Sequence, residues 1–210
     1  MGPSMLVLPV PGAALSAETI EERTSKLPDG TTKTEVLATT TFRDAAGRIR
    51  TEQNQEGPNG ESALVMTIVD RVEGFMAVLI PSEKFAGRYQ FPKQDPSSGL
   101  GIAMLGGPLA AVPGEKSITS ESLGKETIDE IEYQGERTTT TSDDQSSLVG
   151  IYELWQSKEL GLFGLMKSSC PEEQITTKIR KVDRSAPDRE LFKIPSDYFI
   201  RDLKEDDPKQ

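Results

Sequence analysis

Residues 33–55 read KTEVLATTTFRDAAGRIRTEQNQ, two β-rich runs joined by a short turn, and this stretch decides the fold class. Val36, Ala38, Thr40 and Phe42 share one side of a period-2 pattern. Asp44, Ala45, Ala46 and Gly47 then turn the chain into 48–55, where Arg, Thr and Gln alternate with little apolar content to bury. The pattern predicts a β-hairpin, and it repeats on both sides. Upstream, Asp29-Gly30 marks a two-residue turn between runs 18–24 and 33–42. Downstream, GPNG at 57–60 breaks the chain before 63–69, and Glu73-Gly74 leads into 75–80. Both of these runs are apolar on both faces and read as the centre of a sheet.

Farther on, 118–123, 126–133 and 136–141 form a meander with Gln134-Gly135 as a turn, followed by strands at 148–156, 162–168 and 174–182. The closing PDRELFKIP (187–195) reads as a short turn or helical cap leading into an edge segment. About ten strands exceed what an open twisted sheet holds comfortably before it curls. The expected fold is therefore mainly β: a single strongly curved antiparallel sheet, a half-barrel, with a short helical or loop lid. Residues 1–16 are a flexible N-terminal segment, 17–203 the β domain, 92–116 the Gly/Pro-rich lid or loop, and 204–210 a charged tail.

Composition narrows the chemistry. With 24 Lys+Arg against 34 Asp+Glu over 210 residues, the formal charge of -10 repels phosphate backbones, so nucleic acid is not an expected partner. The apolar runs 63–66 and 75–80 fall far short of the roughly 20 residues of a transmembrane helix. The absence of histidine and the single Cys170 remove His-based triads, His metal sites and any intrachain disulfide. Gly99-Leu100-Gly101 starts a dinucleotide fingerprint but meets Met104 at the third glycine, and Gly114-Glu115-Lys116-Ser117 puts a carboxylate where phosphate would sit. Cys170 has no histidine base and lies beside Glu172 and Glu173, so it reads as a spectator thiol at a hairpin turn. No catalytic residue, metal site or cofactor is expected. The small, apolar lead 1–17 is signal-like at Ser16 and Ala17, yet its first cation is Arg23, and Pro9 and Pro11 interrupt it. A trimmed or mis-started precursor, or the disordered lead of a mature chain, fits this pattern better.

Among the aromatic and methionine positions on the strands, Met66, Phe75, Met76, Tyr152, Trp155, Phe163 and Met166 are the candidate cavity lining. Such side chains fill cores, and they also line adaptable sites for apolar ligands on the open side of a curled sheet.

Several stretches carry a family resemblance. FRDAAGRIRTE (42–52), ESLGKETI (121–128) with GERTTT (135–140), ELWQS (153–157), and DRSAPD (183–188) through LFKIPSDY (191–198) resemble a group of uncharacterised extracytoplasmic proteins common in Acidobacteria. The closing element and strand order are similar, more distantly, to the lipoprotein-carrier fold of LolA and LolB and the envelope sensor RseB. The resemblance implies a periplasmic or secreted, non-enzymatic protein that binds an apolar ligand or a lipid or lipoprotein acyl chain in the concavity of the sheet. The alternative it implies is an envelope protein-interaction or sensor module with a filled core, meeting a protein partner through exposed Thr/Arg/Glu faces at 48–55 and 137–141.

Overall fold

The computed structural model describes residues 7–9, 11–57, 60–91, 116–142 and 148–203. Residues 92–115 of the lid expected at 92–116, the 204–210 tail and most of the 1–16 lead lie outside the described residues, and Lys116 begins a strand. The expected mainly β architecture is the one found. Twelve strands form one sheet: β1 (Leu15–Lys26), β2 (Thr32–Arg43), β3 (Ile49–Glu56), β4 (Ser62–Asp70), β5 (Phe75–Ile80), β6 (Phe85–Gln90), β7 (Lys116–Ile128), β8 (Ile131–Ser142), β9 (Leu148–Ser157), β10 (Leu162–Cys170), β11 (Glu173–Asp183) and β12 (Phe199–Leu203). The sheet is open, in the order β12-β6-β5-β4-β3-β2-β1-β11-β10-β9-β8-β7. The β12–β6 pair is parallel, unlike the antiparallel pairs beside it. Among the described residues no helix is long and apolar enough to cross a membrane.

By contacts the described chain forms two units. One holds Val7, 19–37, 116–142 and 148–180; the other holds 8–9, 11–18, 38–57, 60–91 and 181–203.

The hairpin expected in 33–55 forms, and in the second unit Phe42 stands opposite Arg50 and Thr40 opposite Glu52. Its second strand is not the poorly buried one that its polarity predicts. Ile49, Arg50, Thr51 and Gln53 are all buried, so the 48–55 run is not the exposed partner surface expected of it. Runs β4 and β5 lie inside the sheet, but toward the β12 edge rather than at its centre. Strand β6 went unread in the sequence because Pro81 and a 3₁₀ turn (Pro81–Glu83) separate it from β5. The closing segment supplies a second 3₁₀ turn, Arg189–Phe192, capped by Asp188, before the short edge strand β12.

The turn between β2 and β3 holds several segments at once. Arg43, 1% exposed, donates from Nε and Nη2 to the carbonyl of Ala13 (3.0 and 2.8 Å) and from Nη1 to that of Leu8 (3.0 Å). Burial lowers its pKa from the ordinary guanidinium value, and a guanidinium still stays charged. Asp44 accepts from the amides of Ala46 and Arg48 and from the Arg48 guanidinium, which closes the turn. Arg48 also lies 5.6 Å over the Phe192 ring, and Arg50 donates to the Leu191 carbonyl at 3.0 Å.

In the first unit the meander differs from expectation. Strands β7 and β8 are one long hairpin that turns at Asp129 and Glu130, both at positive φ (48 and 63), with a bulge between Ser122 and Gly124. Gln134-Gly135 is not a turn but the interior of β8. Gly135 is there for close approach: a Cβ on it would lie 2.9 Å from Leu123 and from the Trp155 ring. Gly164 plays the same part under the Tyr133 ring, whose Cζ would stand 2.7 Å from an added Cβ.

Two outcomes follow. Arg43→Leu removes the donors to the Leu8 and Ala13 carbonyls and lowers the unfolding free energy by about 2–4 kcal/mol, measured by urea titration. Gly164→Ala costs about 1–3 kcal/mol, and combining it with Tyr133→Ala is less costly than the sum of the two single changes, because the clash disappears with the ring.

Candidate functional site

Antiparallel register puts directly opposed residues on the same face of a sheet, so the pairings assign each candidate residue to a side. On the first unit, Tyr152 opposes Ser168, Leu154 opposes Met166 and Gln156 opposes Phe163, so Tyr152, Phe163 and Met166 share one face. Trp155, one position out of phase, points to the other face and lies over Gly135. The structure therefore does not bring Trp155 together with Tyr152. Phe163 and Met166 are buried, and burial also pushes up the pKa of the Tyr152 hydroxyl. A groove of about 380 Å³ opens on this face, with Ser120, Ser122, Gln134, Glu136 and Gln156 around Leu154.

The opposite face of the first unit carries charge in strand order. Glu121, Arg137, Glu153 and Lys167 stand in directly opposed positions on β7, β8, β9 and β10. Arg137 reaches Glu121 at 2.9 Å through Nη1 and Glu153 at 2.9 Å through Nε, and Lys167 approaches Glu153 at 3.4 Å. The 137–141 run thus spends its arginine within the sheet. The hydrogen bonds from Arg137 hold the Glu153 carboxyl below the usual glutamate range.

On the second unit the two faces differ sharply. One carries Ile68, Ala77, Leu79 and Ala86, all 0% exposed, with Met66 and Phe75 packed against them and Ile194 and Tyr198 of the closing segment completing the cluster. Met66 and Phe75 are thus core residues under the chain's own cover. The other face carries Met76, Val78 and Ile80 of β5, Phe85, Gly87 and Tyr89 of β6, and Phe199, Arg201 and Leu203 of β12. Their shared side is fixed by contact as well as by register: a Cβ on Gly87 would meet Leu203 at 3.3 Å and Phe85 at 3.7 Å, and the Phe85 and Phe199 rings stand 6.2 Å apart.

This second face stays partly open. Phe199 is 69% exposed and Val78 37%, while Met76, Ile80, Phe85, Tyr89 and Leu203 are half-buried. Of the seven residues marked out in the sequence, Met76 alone lies on it. Val78, Ile80, Phe85 and Phe199 were missed. A period-2 reading of FAGRYQ and FIRDL would have found the last two as the alternate positions of two short strands.

No family model matches the chain, and no curated protein sequence matches it. Several solved structures are similar to it. The Pseudomonas aeruginosa MucA/MucB complex matches at 12% identity and a TM-score of 0.45, over 90% of this chain and 58% of that one. The chain thus spans under two thirds of the MucB-type chain. A LolA superfamily protein from Nitrosomonas europaea matches at 8% identity and a TM-score of 0.40, over 87% of this chain and 91% of that one. The Mycobacterium tuberculosis lipoprotein LppX matches at 11% identity and a TM-score of 0.37, over 82% and 88%. What the site does rests on its own geometry.

The charge row sets a pH dependence. Because the folded pKa of Glu153 lies below its unfolded value, its contribution is fully present above the unfolded pKa and is lost as pH falls through the folded one. Glu153→Gln therefore unfolds more easily than the parent near neutral pH, and the gap in urea midpoint closes between about pH 5 and pH 3.

Proposed function

We propose that this protein is a non-catalytic, extracytoplasmic binding protein that takes an apolar ligand on the half-open face of β5, β6 and β12. One observation carries this reading. On one face Ile68, Ala77, Leu79 and Ala86 are 0% exposed, with Ile194 and Tyr198 of the closing segment packed against their cluster, whereas on the other Phe199 is 69% exposed. Large apolar side chains gathered on one open face favour contact with an apolar surface, at about 25 cal/mol per Å² buried. An acyl chain suits this face, since it gains about 0.8 kcal/mol per buried CH₂ and needs no directional partner. With no histidine in the sequence, no imidazole base is present to support a hydrolytic reading.

The test uses the full chain purified without detergent and the neutral fluorophore N-phenyl-1-naphthylamine. Native mass spectrometry with organic extraction of the same sample shows an extractable apolar mass. Phe199→Asp and Val78→Asp weaken fluorophore binding by about tenfold or more, with a melting temperature within about 2 °C of the parent. Ala77→Asp, on the closed face, unfolds the domain instead. Unchanged fluorophore binding in both Phe199→Asp and Val78→Asp would remove this face as the site.

A further inference from the structure

The two faces of β7, β8 and β9 treat their charges differently. On one, Glu121, Arg137 and Glu153 are joined in ion pairs across the strands, with Lys167 of β10 added at the end of the row. On the other, which carries the groove of about 380 Å³, the side chains of Gln134, Glu136, Gln156 and Lys158 have no hydrogen-bond or ion-pair partner among the described residues. Glu136 stands between Ser122 and Leu154, and the carboxamide residues Gln134 and Gln156 stand opposite each other. Lys125, opposite Gln134 on β7, is held by Glu132 at 2.9 Å, which leaves Lys158 as the cation of the groove lining.

Register sets these groups in rows, each two residues or about 7 Å from the next. Ser120 comes first, then Ser122 with Glu136 and Leu154, then Gln134 with Gln156, and then Lys158, one residue past the end of β9. The groove therefore offers acceptors at one end, amides in the middle and an ammonium at the other end, about 13 Å along the strands from the carboxylate row.

This order is the complement of a zwitterion. An ammonium needs several acceptors around it, and Glu136 supplies them together with the hydroxyl oxygens of Ser120 and Ser122. A carboxylate pairs with Lys158. A carboxamide both donates and accepts, so Gln134 and Gln156 match the N–H and C=O of peptide bonds lying between the two ends. Leu154 gives a side chain an apolar contact. Three extended residues span about 10 Å, a gap that the long Glu136 and Lys158 side chains close from either end. A neutral ligand, or one with a single sign of charge, leaves one end of the groove unmatched.

We infer that this groove binds a short, extended peptide with both termini free, its ammonium at Glu136 and its carboxylate at Lys158. The site lies wholly on the first unit and goes beyond the apolar face of β5, β6 and β12, on which it does not depend.

The experiment is an NMR titration of the full isotope-labelled chain at about pH 6.5, where a peptide's α-amino group is protonated and its carboxyl ionised. Trialanine shifts the backbone amides of the groove residues saturably, and N-acetyl-trialanine and trialanine amide each bind at least about tenfold more weakly. In Glu136→Gln the penalty for acetylation shrinks to within about twofold, and in Lys158→Gln the penalty for amidation does the same. Added salt narrows both penalties in the parent. Both substitutions change exposed side chains, and the comparison of the three peptides on the parent needs neither. Phe199→Asp leaves trialanine binding within about twofold of the parent, so the groove and the apolar face fail separately. Absence of saturable shifts with trialanine on the parent overturns the groove as a peptide site. Equal binding of the three peptides overturns the charged ends, and tighter binding of maltotriose than of trialanine replaces the peptide with a neutral polyol. Penalties that persist undiminished in the two variants overturn the assignment to Glu136 and Lys158.

Discussion

A buried guanidinium organises the second unit. Arg43 gives three hydrogen bonds to the carbonyls of Leu8 and Ala13, so the segment that precedes β1 is held on the side of the sheet toward which Arg43 points. A charge placed there is tolerable only because its donors are occupied, and backbone carbonyls are partners that do not titrate. The same turn reaches the other end of the chain through Arg48 over Phe192 and Arg50 to the Leu191 carbonyl. Three arginines within eight residues thus fasten segments about 35 and 141 positions away in sequence.

This arrangement explains why one face of β4–β6 is filled and the other is not. Anchoring Leu191 and Phe192 beside β3 delivers Ile194 and Tyr198 onto Ile68, Ala77, Leu79 and Ala86. The chain then continues into β12, which pairs in parallel with β6 and adds Phe199 and Leu203 to the opposite side. A single run of about fifteen residues closes one face and extends the other, and the half-open apolar face is a consequence of where that run is fastened.

Charge and glycine do the equivalent work in the first unit. The row Glu121, Arg137, Glu153, Lys167 alternates in sign across four strands, which favours this register over one that would oppose like charges. Gly135 and Gly164 leave room for Trp155 and Tyr133 to lie flat on the sheet. The open edge strand β7 carries a bulge and several charged side chains, features that discourage pairing with other chains.

The sequence by itself determined the strand-rich class, the hairpin at 33–55 and most strand positions, because period-2 alternation and turn residues act over a few positions and need no distant partner. It misplaced the turn at Gln134-Gly135, since a glycine that admits an aromatic ring and one that makes a turn look alike without the neighbouring strand. It also misjudged 48–55: arginine, threonine and glutamine read as surface until Leu191 and the rest of the sheet arrive to bury them. The candidate lining was legible as residue types but not as a site. Met66 and Met76 look equivalent in the chain, and only the packing of Ile194 and Tyr198 on one face makes the first a core residue and leaves the second on the open face. Which face is covered is set by contacts between segments more than a hundred residues apart, and local pattern holds no information on those.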